Sequence, residues 1–388
     1  MLHLIPRAVL IVLATGLLVP LAARARTHVV QPGDSIRAAL ARAKPGDRIA
    51  VLPGVYREGV ADDPTARTVT LDGIELVGVS WPGHPVVLEN AGGQSYGLWV
   101  SPVDSADPTA DPERPPCGRS GATLHGFVLS GFTLHGFLQH GAHLACVDSF
   151  ALTGNVSDGT AVYGLFPVLS RHGVIAHNEA MHTGQDAALY VGQSDNVLIS
   201  GNRVHDNLLG IEVENSRQCD VLGNEVYDNT VGILVDILTD KLRTTQEHTL
   251  VAFNRAHGNN RATTANPDDL LAVLPAGIGI LLVGADTTTV SLHTVKHNGF
   301  VGLGVVSLCL GFALQGQSCT GLDIEPNPDG NQIVGNVVQG NGTVPLSGGP
   351  LDAFRADLLW DGTGQGNCWQ ANAFATSVPP APLLPACR

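Results

Sequence analysis

Asn202-Arg203-Val204-His205-Asp206-Asn207-Leu208-Leu209-Gly210-Ile211 is followed, 22 residues on, by Asn224-Glu225-Val226-Tyr227-Asp228-Asn229-Thr230-Val231-Gly232-Ile233. Looser copies begin at Asn155, Asn178 and Asn254, with steps of 23, 24 and 30 residues along the series. A unit of this length, built from short β-rich runs broken by Asn and Gly, is too short for a strand–helix–strand crossover. It fits one turn of a solenoid whose coils stack on their neighbours.

Aligning the copies assigns the side chains. Val197, Ile199, Val204, Ile211 and Val213 alternate with polar residues, and the same slots one coil on hold Cys219, Val221, Val226, Ile233 and Val235. Equivalent slots then lie one strand spacing apart, about 4.8 Å, in columns down the inside. Each corner Asn is placed to bond the Asn above and below, and Gly210 and Gly232 mark expected bends. The slot after the corner holds Glu179, Arg203, Glu225 and Arg255, an outward column of alternating charge that favours this register. The reading is all-β: a single-stranded, right-handed parallel β-helix, or solenoid, with an N-terminal capping helix.

That helix is expected over residues 35–44, capped by Asp34-Ser35 and stopped by Pro45-Gly46. Residues 1–25 read as a secretory signal, with Arg7, an apolar stretch and an Ala23-Arg24-Ala25 cleavage site. Residues 26–388 then form one β-helix domain. Its regular coils span about 150–255, and a Pro/Gly-rich tail at about 343–388 is clipped by a disulfide. Loss of Arg7 and Arg24 takes the formal charge from −14 to −16. Such a charge makes nucleic acid and anionic membranes poor partners. No later apolar run is long enough for a membrane span. The expected location is secreted or periplasmic, as a monomer, with a polysaccharide or cell-envelope component as partner. Seven cysteines imply Cys117–Cys146, Cys309–Cys319 and Cys368–Cys387, with Cys219 a buried free thiol.

Gln31-Pro32-Gly33-Asp34-Ser35-Ile36, Lys44-Pro45-Gly46-Asp47 and Leu52-Pro53-Gly54-Val55-Tyr56 resemble the N-terminal region of pectate-lyase-like right-handed β-helix proteins. The runs Leu189 to Ser194, Gly210 to Ser216 and Gly232 to Val235 resemble an exported bacterial family of parallel β-helix repeat proteins. The wider superfamily acts largely on acidic polysaccharides, as lyases, hydrolases and epimerases, and that is the activity the resemblance implies. The signatures of its characterised enzymes are mostly missing. Only Asp-Asp pairs occur, at Asp62-Asp63 and Asp268-Asp269, outside the regular coils.

Chemistry is expected on outward slots after the Gly corners. Glu212 and Glu214 alternate on one strand, Asp236 takes the Glu214 slot one coil up, and Tyr190 takes the Glu212 slot one coil down. Stacked carboxylates repel, which raises a pKa or invites a cation, and oxygen ligands such as Glu214 and Asp236 suit calcium. The same carboxyls serve as acid and base, with Lys241 or Arg243 meeting a uronate carboxylate. Tyr190 and the column His205, Tyr227 and His257 are the candidate sugar-binding residues. The functional expectation is an exported protein that acts on or binds acidic polysaccharide, as lyase or epimerase, with glycoside hydrolase as the further enzyme class. The alternatives are a solvated acidic edge and a non-catalytic scaffold.

Overall fold

The computed structural model describes residues 25–59, 65–102, 111–346 and 349–388. The expected signal segment up to residue 24 and the Asp62-Asp63 pair lie outside the described residues. Each coil gives one strand to each of three parallel sheets, of twelve, ten and eleven strands among the described residues. The coil quoted first contributes Asp195–Ser200, Arg203–His205 and Leu209–Glu214 in turn. The register is the one the repeat requires: Val204 pairs with Val226 and Ile211 with Ile233. These side chains, with Cys219 and Val221, are fully buried in one continuous internal core. The chain is a parallel β-helix repeat protein.

Polar ladders hold the corners. The backbone N–H of Asn155, Asn178, Asn202 and Asn224 each donates to the side-chain oxygen of the next Asn, at 2.8–2.9 Å. Asn207, Asn229, Asn259, Asn298 and Asn341 repeat this at the second corner. The third corner uses Ser170, Ser194 and Ser216. These bonds satisfy buried backbone groups that water does not reach. Outside, Arg203 pairs with Glu179 at 2.7 Å and Arg255 with Glu225 at 3.3 Å.

Gly210 and Gly232 do not make the bends. Asp206 and Asp228 do, at φ 60° and 54°. The glycines lie inside strands, where a Cβ on either one would come within 2.5 Å of a carbonyl oxygen in the next coil. They are needed for close approach of backbones.

The capping helix is shorter than expected, Ile36–Leu40, with the Ser35 hydroxyl accepting from Ala38 N–H. Its Ile36, Ala39 and Leu40 join the internal core. Two further helices were not anticipated, Pro116–Ser120 and Leu308–Leu314. The second has Ser307 as its N-cap, with the hydroxyl accepting from Cys309 N–H. The three disulfides form as paired above, and Cys219 is free and buried.

One sheet differs from the other two. The longer excursions leave from, or lead into, strands of the eleven-stranded sheet, at residues 111–123, 237–249, 258–277, 307–331 and 340–355. They fold over its outer face, and a second apolar core fills the gap. Strands Tyr163–Val168, Ala187–Gly192, Leu209–Glu214 and Val231–Asp236 are therefore buried at every position.

Candidate active site

Glu212, Glu214 and Asp236 stand on this covered face. Register pairs Tyr190 with Glu212, and Gly192 with Glu214, which in turn pairs with Asp236. The outward direction is as expected, but the solvated edge is not. The roofing loops leave Glu212 3%, Glu214 2% and Asp236 4% exposed. One oxygen from each lies within 4.8 Å of the others. Asp186, just before the Tyr190 strand, lines the same cleft, and its charge helps to raise the pKa of Glu212.

The surroundings divide the labour among these groups. Tyr190 Oη donates to Glu214 Oε1 at 3.0 Å, and Lys241 Nζ lies 3.0 Å from the same oxygen. Lys241 also pairs closely with Glu113, which accepts from Tyr163 Oη at 2.9 Å. Glu212 Oε2, Asp236 Oδ1 and Asp186 Oδ1 have no hydrogen-bond partner among the described residues. Burial, then mutual repulsion, holds Glu212, Glu214 and Asp236 well above the ordinary carboxylate range. Burial lifts Asp186 to about 7 and lowers Lys241 to about 8. Glu214, served by two donors, is the carboxyl best placed to carry a charge. The Asp186–Glu212 pair is best placed to keep a proton.

A cleft of about 270 Å³ opens above this cluster. Glu113, Asp186, Glu212, Glu214, Asp236 and Asp269 contribute carboxyls to its lining, against Lys241 as its cation. The remaining wall is largely apolar. Its roof comes from Leu270–Val273, Leu308–Leu314 and Pro350–Phe354.

Other candidates lie elsewhere. Arg243 points away and pairs closely with Asp195, outside the cleft lining. His205, Tyr227 and His257 stack on the ten-stranded sheet, with centroids 4.9 and 5.3 Å apart and planes within 15°. Their faces are used against one another, so they do not form one surface with the carboxylates. Tyr190 is fully buried beneath Glu214 and serves as a donor, not as a stacking platform.

Four residues were missed: Asp186, Glu113, Tyr163 and Asp269. Asp186 had a visible signal, because register places it opposite Leu208 of the next coil, a carboxyl in an apolar slot. Glu113 and Asp269 arrive on excursions whose return path no periodicity reports. On the preceding coils of the same sheet, His140 and His143 join Tyr96, Trp99, Tyr163 and Phe166 in a buried column, with centroids 4.3–6.0 Å apart. Burial pushes His143 down to about 3 and His140 well below its ordinary value, so both are neutral.

Residues 120–262 match the family model described as periplasmic copper-binding protein (NosD). No curated protein matches the chain. Among solved structures, the A-module of Azotobacter vinelandii mannuronan C-5 epimerase AlgE4 is 14% identical, with TM-score 0.59 over 88% of this chain and 89% of that one. DFA-IIIase from Arthrobacter chlorophenolicus A6, in complex with GF2, is 16% identical, with TM-score 0.53 over 85% and 78%. The periplasmic alginate epimerase AlgG is 15% identical, with TM-score 0.52 over 85% and 69%. At these identities the likeness is one of fold. No described helix is long and apolar enough to cross a membrane.

Proposed function

We propose that this chain is an exported carbohydrate-acting enzyme that uses the buried carboxyls for acid/base cleavage or transfer of a glycosidic bond. The observation carrying this is the asymmetry within the cluster. Glu214 receives Tyr190 and Lys241 on one oxygen, while Glu212 keeps a buried oxygen with no donor among the described residues. Two carboxyls in unlike surroundings, a few ångströms apart, are what such chemistry requires. Glu212 protonates the departing glycosidic oxygen. Glu214 attacks the anomeric carbon, and water then releases the sugar with Glu212 acting as base.

The cleft favours a neutral sugar over a uronate. Lys241 is already committed to Glu113 and Glu214, so a substrate carboxylate would meet six carboxyls with no spare cation among the described lining residues. That moves the preferred reaction from elimination or epimerisation at a uronate to glycosyl transfer. A roofed, concave cluster also argues against a non-catalytic scaffold with splayed charges. The test is a panel of neutral aryl glycosides beside acidic polysaccharides, reading released phenol, reducing ends and unsaturated uronates. Release from a neutral glycoside, lost in Glu214→Gln, supports the reading. Unsaturated uronates alone would restore the lyase.

A second reading is favoured by the unpartnered oxygens on Glu212 and Asp236: a divalent cation held by Glu212, Glu214 and Asp236. These are hard oxygen donors, which suit calcium and fit copper poorly. Calcium would have to displace the Lys241 ammonium from Glu214. A calcium-dependent rise in melting temperature that Asp236→Asn removes is the result that selects this reading.

A further inference from the structure

We infer that the substrate of this site carries an apolar aglycone, an alkyl chain or aryl ring, seated in the cleft between the sheet and its roof. The sugar half of this inference rests on the acid/base reading above; the apolar half rests on the cleft itself. Along the solenoid axis the outward columns change character abruptly. Tyr190 and Glu212 are followed in register by Leu234 and Leu281, and Glu214 and Asp236 by Val283 and Val306. The floor is therefore acidic at one end and apolar for the next coils. The roof matches it with Leu271, Leu274 and Leu310, which are only partly buried although they pack on the second core.

Size and polarity together select the occupant. At about 270 Å³ the cleft lies just below the roughly 300–1,000 Å³ of ordinary ligand pockets, enough for one small group and not for a run of polymer. A second sugar ring lying on the leucines would bury hydroxyls with nothing to bond, which is unfavourable. An alkyl or aryl group there has no such loss and fills unoccupied apolar space. An anionic amphiphile is disfavoured by the carboxyls at the acidic end. A neutral head placed over Glu212 and Glu214 is not.

The experiment uses the full chain and N-phenyl-1-naphthylamine, a neutral fluorescent apolar probe, displaced by a series of alkyl glucosides from methyl to octyl. The inference predicts a bound, fluorescent probe and displacement that tightens about threefold to fourfold per added methylene. Leu271→Gln with Leu310→Gln weakens both probe and octyl glucoside at least tenfold. Displacement independent of chain length, or probe binding unaffected by the leucine variant, overturns the inference. Failure of the acid/base reading looks different: chain-length-dependent displacement persists, but no glycoside is turned over by the wild type.

Discussion

The phenol oxygen of Tyr190 reaches Glu214 Oε1, 3.0 Å away, across the bare Cα of Gly192. A Cβ on Gly192 would fall 2.2 Å from that phenol oxygen and 2.4 Å from the ring carbon that bears it. Gly192→Ala therefore expels a fully buried ring from its place under Glu214. The expected cost is about 1–3 kcal/mol of stability, the range for an overpacked core, together with loss of the hydrogen bond. Urea denaturation beside turnover reads both. A variant of unchanged stability and rate would mean the ring does not position Glu214.

The carboxyl cluster gives stability an unusual pH dependence. Asp186 rises from its ordinary 3.8 to about 7, so between those values the folded chain holds a proton that the unfolded chain has lost. Stability from this source is full below about pH 4 and falls as pH rises through about 7. Glu212, Glu214 and Asp236 act in the same sense. Lys241, lowered to about 8, adds stability as pH rises from there toward its ordinary 10.5. Melting temperature should thus be higher near pH 5 than near pH 8, and Asp186→Asn should flatten the slope. A wild-type melting temperature that climbs across this interval contradicts the protonated cluster.

Much of this is legible in the sequence, and the reason is the period. A repeat of 22 to 24 residues fixes register, and register fixes columns, so Ile211 over Ile233 and Glu214 over Asp236 followed from alignment alone. What the repeat does not encode is where non-repeating segments go. The roof from Leu270–Val273 and Leu308–Leu314 turned an expected solvated edge into a buried cluster. One sign was present. Val231–Asp236 and Ile278–Val283 are nearly unbroken apolar runs, the pattern of strands covered on both faces.

The corner ladder should matter more than the charged column beside it. Asn224 donates to Ile199 O and Asn254 Oδ1 and accepts from Asn202, all inside the protein. Asn224→Ala leaves several buried groups unpaired, at a cost of about 2–4 kcal/mol. Neighbouring Glu225 makes only exposed pairs with Arg255 and His257, so Glu225→Ala should cost less than about 1 kcal/mol. Equal losses in urea denaturation of the two variants would remove the ladder's structural primacy.

The disulfides divide between coil and roof. Cys309 lies on the roof helix Leu308–Leu314 and is tied to Cys319. Cys309→Ser with Cys319→Ser should loosen the cleft while leaving the coils folded. The expected readout is weaker binding of the apolar probe with circular dichroism retained. Loss of the β-sheet signal in this variant would show that the roof is integral to the coil stack.

The most direct test of the central claim is phenol release from neutral aryl glycosides by the wild type and by Glu214→Gln, with melting curves confirming that both are folded. The acid/base account predicts measurable wild-type turnover that falls by about 10²–10⁴-fold in the variant. Its fold should be intact, because the substitution keeps the shape of a buried side chain and removes its repulsion with Asp236. A variant that turns over at the wild-type rate, or a wild type inert toward every neutral glycoside, contradicts it.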